Sequence, residues 1–147
     1  MDAYQRLIQY GRSAVNLIVE LSGVSGLALL ALQHGQLHFA FNLASQGIKW
    51  IERSGSLPPI AAAVYGELGE VCYQWNQIEQ ARQHFQRAVE VSVLSGYSDA
   101  AAYFGVVRSR LLQIEGDLDG AAREIQSVVD LMQLSAPTAV REEVITQ

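Results

Sequence analysis

The chain has 147 residues, 50% of them hydrophobic and 17% charged, which is long enough for a single core of ordinary size and agrees with one packed soluble domain. Ten Lys and Arg stand against 15 Asp and Glu, net −5 with Lys49 the only lysine, so a basic phosphate-binding footprint is missing and no direct nucleic acid contact is expected. Cys72 is the only cysteine, which excludes an intrachain disulfide and a multi-cysteine metal site; it fits a reducing compartment, and the cytoplasm is the expected location.

In chain order, the pattern of apolar residues and breaks predicts helices over 3–21, 24–34, 37–53, 59–75, 78–95, 99–115, 118–134 and 138–147. The apolar stretch from Ala14 to Leu32 is interrupted by Asn16, Glu20, Ser22, Gly23, Ser25 and Gly26, which argues against a membrane span or a signal-peptide core and for buried helix. The expected breaks are Ser22 to Gly26, Gly35-Gln36, Ser54 to Pro59, Asn76-Gln77, Gly96 to Asp99, Gly116-Asp117 and Ser135 to Pro137, each of them turn or helix-stop chemistry. Pro58-Pro59 and Pro137 stand where a new helix begins, a position at which a missing N–H costs nothing. Phe85, Ala88, Val89, Ser92 and Val93 fall at helical spacing, as do Leu118, Ala121, Ala122, Ile125, Val128, Val129 and Met132. Strand signals are essentially absent.

The chain also aligns with itself. Gly35, Asn76 and Gly116, at intervals of 41 and 40 residues, each open the same pattern: an apolar residue two positions on (Leu37, Ile78, Leu118) and an alanine three beyond that (Ala40, Ala81, Ala121). Such a period means stacked helix pairs whose neighbours build one continuous core. The expected fold is all-α, a right-handed superhelix of stacked antiparallel helix pairs with about 3.5 repeats. It forms a single domain over 1–147, with units at roughly 22–58, 59–98 and 99–137 and half-units at 1–21 and 138–147. Shifting the pattern back by 41 sets Ala3, Leu7, Tyr10 and Ser13 on Ala44, Ile48, Ile51 and Ser54, so the first helix reads as the second helix of an earlier unit. The half-units at both ends imply a segment cut from a longer protein, with apolar end faces at Met1–Ser13 and Thr138–Gln147 through which a homodimer can form.

The middle unit reads Tyr65, Leu68-Gly69, Cys72, Asn76, Ile78, Ala81, Phe85, Ala88, and this resembles the tetratricopeptide repeat. The first unit matches through Leu27-Ala28, Ala31, Gly35, Leu37 and Ala40, and the third from Gly116-Asp117-Leu118 through Ala121 and Ile125. The usual unit of that family is about 34 residues. Longer units with openings like Gly116 to Ile125 resemble the helical-repeat region of large bacterial transcriptional regulators of the MalT type. The resemblance implies a sensor arm that binds an inducer or a partner protein and relays this to self-association. Neither the phosphate loop nor the recognition helix of that family is present in these residues, so the resemblance is to a middle segment. A chaperone-tail clamp would want Lys and Asn where this unit has Gly66, Glu70 and Tyr73, so that partner is not expected.

No catalytic residue, metal site or cofactor is expected, and the chain reads as a non-enzyme. His34 and His38 flank the turn at Gly35 and belong to different helices, and His84 lies among polar neighbours, which reads as solvated surface. Cys72 holds a small apolar core position with no base evident beside it. Glu67 and Glu70 read as a solvated or groove-lining pair, Asp117 and Asp119 as helix-start charges, and Trp50 and Trp75 as packing residues first. By analogy with the repeat family, the concave groove is lined by Glu70, Tyr73 and Gln74 facing Tyr103, Arg110 and Gln113, a mixture that suits recognition of a carboxylate, a sugar or a peptide backbone. The same residues read equally as ordinary exposed surface. Two functions follow: an effector- or partner-binding and self-association arm of a MalT-like regulator, or a scaffold docking a peptide or helix without a small ligand.

Overall fold

Turn chemistry sets the architecture. Gly35, Asn76 and Gly116, the residues that open the sequence repeat, all adopt left-handed backbone, with φ of 69°, 58° and 85°. Gly96 (φ 74°) and Val15 (φ 52°) do the same in two further turns. In all five the next N–H bonds a carbonyl five residues back: Asn16 to Gly11, Gln36 to Ala31 and Gln77 to Cys72 at 2.8 Å, Tyr97 to Ser92 and Asp117 to Leu112 at 2.9 Å. This is the Schellman arrangement, which satisfies the carbonyls left over at a helix end and turns the chain back on itself.

The computed structural model describes residues 2–135; the helix expected at 138–147, and Pro137 before it, lie outside them. Seven helices follow in order: α1 Asp2–Ser13, α2 Leu17–Gln33, α3 Leu37–Ser54, α4 Ala61–Gln74, α5 Ile78–Leu94, α6 Ser98–Ile114 and α7 Leu118–Ser135. No strand occurs among the described residues. Each helix packs on its chain neighbours, and α2 also packs on α4. The fold is an α-solenoid, as the repeat requires. The α3–α4 joint is different: after Gly55 (φ 64°) the chain runs through Pro58 and Pro59, whose carbonyls accept from Ala61 and Ala62 N–H at 2.9 and 3.1 Å in a tight lead-in turn. The prolines therefore precede α4, which starts at Ala61 instead of 59.

The first boundary corrects the sequence reading. The break expected at Ser22 to Gly26 lies inside α2, and the chain turns instead between Ser13 and Leu17. Gly23 and Gly26 are contact surface: a Cβ on Gly23 would stand 2.8 Å from the Ile8 side chain, and one on Gly26 would overlap the Tyr4 ring. Asn16 caps α2, its Oδ1 accepting from Val19 N–H at 3.2 Å. The half-unit placed at 1–21 is therefore α1 alone, and the first pair, placed from 22, begins at Leu17.

Val15 is β-branched, 92% exposed and held at positive φ, where its side chain meets its own backbone and gains no packing in return. Val15→Gly is expected to raise the unfolding free energy by roughly 1 kcal/mol, read by urea denaturation. A loss of stability would show that the valine contributes to the turn.

The repeat alanines are where helices touch: Ala40 and Ala81 are 0% exposed and Ala121 is 2%. One apolar cluster runs from Leu21 of α2 through Ala44 and Ile51 of α3, Val64 and Leu68 of α4, and Phe85 and Val91 of α5 to Phe104 and Leu111 of α6. Polar fasteners hold the outer helices. Arg108 of α6 pairs with Glu124 of α7 at 2.8 Å, and Ser109 Oγ donates to the Ala121 carbonyl at 3.1 Å. Arg12 of α1 pairs with Glu20 of α2 at 2.6 Å and lies over the Trp50 ring of α3, 4.8 Å from its centroid.

Candidate functional site: a groove walled by α2, α4 and α6

The middle helix α4 is built of small residues on its packed faces, and this brings aromatic side chains from α5 and α6 close to it. A Cβ on Gly66 would overlap the Phe104 ring, and one on Gly69 would stand 2.9 Å from Phe85. What remains between the first helices of the three pairs is a groove of about 520 Å³. Its walls are Ser25, Leu29, Leu32 and Gln33 of α2; Ala63, Gly66, Glu67, Glu70 and Gln74 of α4; Phe85 of α5; and Tyr103 and Phe104 of α6. A second space of about 540 Å³, which shares Ala63 and Phe104 with the first, is walled by Ile18, Pro59, Ile60, Ala62, Ser92, Tyr97 and Ala100. The first space carries the polar groups Ser25, Gln33, Glu67, Glu70 and Gln74 among apolar ones, the second is largely apolar, and each is of the size that holds small ligands.

Glu67 dominates the electrostatics. It is 7% exposed, and Ser25 Oγ donates to its Oε1 at 2.6 Å across the α2–α4 contact, while Oε2 has no protein partner. Burial disfavours the charged form and pushes the carboxyl from 4.5 up to about 8, against the opposing pull of the Ser25 hydroxyl. Glu70, three residues on, accepts from Gln74 Nε2 at 2.8 Å. No Lys, Arg or His side chain is among the wall residues.

Of the six groove residues expected from the sequence, Glu70, Gln74 and Tyr103 wall this cavity. Tyr73, Arg110 and Gln113 are exposed and stand outside its walls. For α6 the reason is position along the helix: the groove meets it at Tyr103 and Phe104, and Arg110 lies about two turns further on. The whole α2 wall was missed, as was the burial of Glu67, so the solvated half of the Glu67–Glu70 reading is corrected while the groove-lining half stands. A signal existed: Ser25 and Glu67 are 42 residues apart, about one repeat, which sets both on first helices of adjacent pairs.

Elsewhere, the chemistry is local. Cys72 is buried, and burial pushes its thiol up. His38 stacks near Trp75 with centroids 5.0 Å apart, and His34 Nδ1 lies 2.8 Å from the Leu30 carbonyl. His84, expected on solvated surface, is half-buried, and burial holds its pKa below the ordinary imidazole range. Asp117 caps α7, its Oδ1 accepting from Gly120 N–H at 2.8 Å. Among the described residues no group of three or more His, Cys, Asp or Glu is placed to hold a metal ion, and no helix is long and apolar enough to cross a membrane.

No family model matches the chain, and no curated protein matches it by sequence. A crystal structure of BtubC (BKLC) from P. vanneervenii is similar over 90% of this chain and 55% of that one, with a TM-score of 0.72 at 15% identity. The chain spans little more than half the length of that protein, and at such identity the likeness is one of fold: a helical-repeat stack.

Proposed function

We propose that this chain is a non-catalytic, tetratricopeptide-like binding arm that holds an effector or a partner segment in the α2–α4–α6 groove. The observation that carries the reading is a pair of neighbouring cavities that share Ala63 and Phe104, the first with Glu67, Glu70, Gln33 and Gln74 on its walls and the second largely apolar. Apolar walls that give contact area, with a few polar groups that orient an occupant, suit recognition. The resemblance to MalT-type regulators supplies the setting, a cytoplasmic sensor arm. Self-association fits the exposed apolar residues on the two outer helices, Tyr4, Leu7 and Tyr10 of α1 and Ile125, Val129 and Met132 of α7. The second reading, a scaffold that docks a peptide or helix, is favoured by length. From Ile60 to Gln74 the α4 wall extends about 20 Å, enough for a helical segment of several turns.

Ala63 walls both cavities and is half-buried, so the large side chain of Ala63→Trp takes up space in them. Metabolite and peptide collections are screened by thermal shift, since whatever binds only the folded form raises its apparent stability, by about 2.7 kcal/mol at a hundredfold excess over Kd. Ligands that stabilise the protein are expected to lose that effect with Ala63→Trp. Binding unaffected by the substitution would place recognition outside the groove and sink the proposal.

A further inference from the structure

We propose that the polar part of the groove is a cation site: Glu67 receives the ammonium group of an organic amine whose apolar tail lies along Ile18, Ile60, Tyr97 and Phe104. The inference rests on the groove reading above and names the class of its ligand.

Three independent observations converge. The Glu67 carboxyl belongs to the cavity wall and is 93% buried; Ser25 holds Oε1, while Oε2 has no protein partner and is shielded from solvent, so the free carboxyl keeps its proton and a bound cation takes that proton's place. Glu70 sits about one turn further along the same wall, and no basic side chain faces either carboxyl from within the walls. α2 contributes Ser25 and Gln33, α5 Phe85 and α6 Tyr103 and Phe104, and no α3 residue lines this wall, so Glu70 and Tyr103 are the other titratable groups facing the space. The site is therefore acidic and aromatic, a combination that attracts a cation and repels carboxylate or phosphate. The chain's net charge of −5 acts in the same direction at longer range.

The second cavity fixes the rest of the ligand. From Glu67 to Ile60 is seven residues of α4, roughly 10 Å, and the walls there are apolar apart from Ser92 and the Tyr97 hydroxyl. Ser92 Oγ is already donated to the Ala88 carbonyl at 2.8 Å. A polar or charged chain would find only the Tyr97 hydroxyl as a free partner in that space, whereas a hydrocarbon tail would gain apolar contact along it.

The proton balance follows. Near neutral pH the free Glu67 is largely a neutral acid; seating R–NH₃⁺ against it leaves a carboxylate–ammonium pair and releases one proton to solvent. Affinity then falls about tenfold per pH unit below the carboxyl's pKa.

The test uses the whole chain with three probes sharing one tail: n-octylammonium, 1-octanol and octanoate. Thermal shift and calorimetry from about pH 6 to about pH 8, in two buffers of different ionisation enthalpy, report affinity and protons released. Expected are a stabilising shift with octylammonium alone, affinity rising with pH, release of about one proton, and at least a tenfold loss of affinity in Glu67→Gln. Equal shifts from octanol and octylammonium would overturn the cation site while leaving the groove reading intact, because Ala63→Trp would still abolish both. No shift from any probe would overturn this proposal alone, the groove reading being decided by the library screen. If Glu67→Gln does not fold, the ranking of the three probes on the unaltered protein and the proton count still decide.

Discussion

Glu67→Gln is expected to make the protein more stable, and increasingly so as the pH rises. In the folded chain the buried carboxyl holds its proton up to about pH 8, whereas in the unfolded chain it gives the proton up near 4.5. Between those values the folded state binds more protons than the unfolded one, so stability is greatest at the acid end and is lost as pH rises through the window, at up to ~1.4 kcal/mol per unit. Above the folded pKa the loss is complete. Glutamine keeps the shape, and its carbonyl oxygen still accepts from Ser25, but it has no proton to lose. At about pH 8 the variant should exceed the parent on the order of several kcal/mol, and at about pH 5 the two should nearly coincide. Urea denaturation at a series of pH values measures this directly. Curves that run parallel for parent and variant would mean that Glu67 ionises normally in the folded protein.

Phe85→Ala should cost about 3–5 kcal/mol, the largest single loss expected in the chain. The ring is 2% exposed, belongs to the main apolar cluster, lies against Gly69 of α4, and has its centroid 6.3 Å from that of Phe104. Removing it opens space between α4 and α5, which the tight turn at Asn76 joins, so collapse into the void is limited. The same contact gives an internal control. Gly69→Ala alone sets a Cβ at 2.9 Å from the ring and should cost about 1–3 kcal/mol. Combined with Phe85→Leu it should cost less than the two single changes taken together, because the smaller side chain leaves room for the methyl. Additive losses in thermal or urea unfolding would show that helix and ring do not meet as described.

Wherever the turn was closed by glycine or asparagine the chain was legible in advance, because those residues tolerate the left-handed backbone that a Schellman closure requires. The α1–α2 turn escaped because Val15 occupies that position, and because Gly23 and Gly26, which serve close packing on Ile8 and Tyr4, look like a break. The internal alignment held the right answer: Ser13 falls on Ser54, and both end their helices. Longer-range register overruled local composition. The groove was half legible for a related reason. Residues of α4 and the start of α6 follow from the repeat, but the α2 wall depends on how far α2 leans against α4, and Glu67 reads as surface until Ser25 is placed beside it.

The near-identical turns have a consequence for how the chain folds. Every helix rests mainly on its immediate chain neighbours, so the loops that must be closed to form native contacts are short and their entropic cost is small. Any adjacent helix pair can serve as the starting point, and structure then spreads outward one helix at a time. α1, with Gly11 as its single buried residue, has the least packing to lose and is expected to exchange its amide hydrogens sooner than α2, α3 and α4, each of which contributes to both apolar clusters.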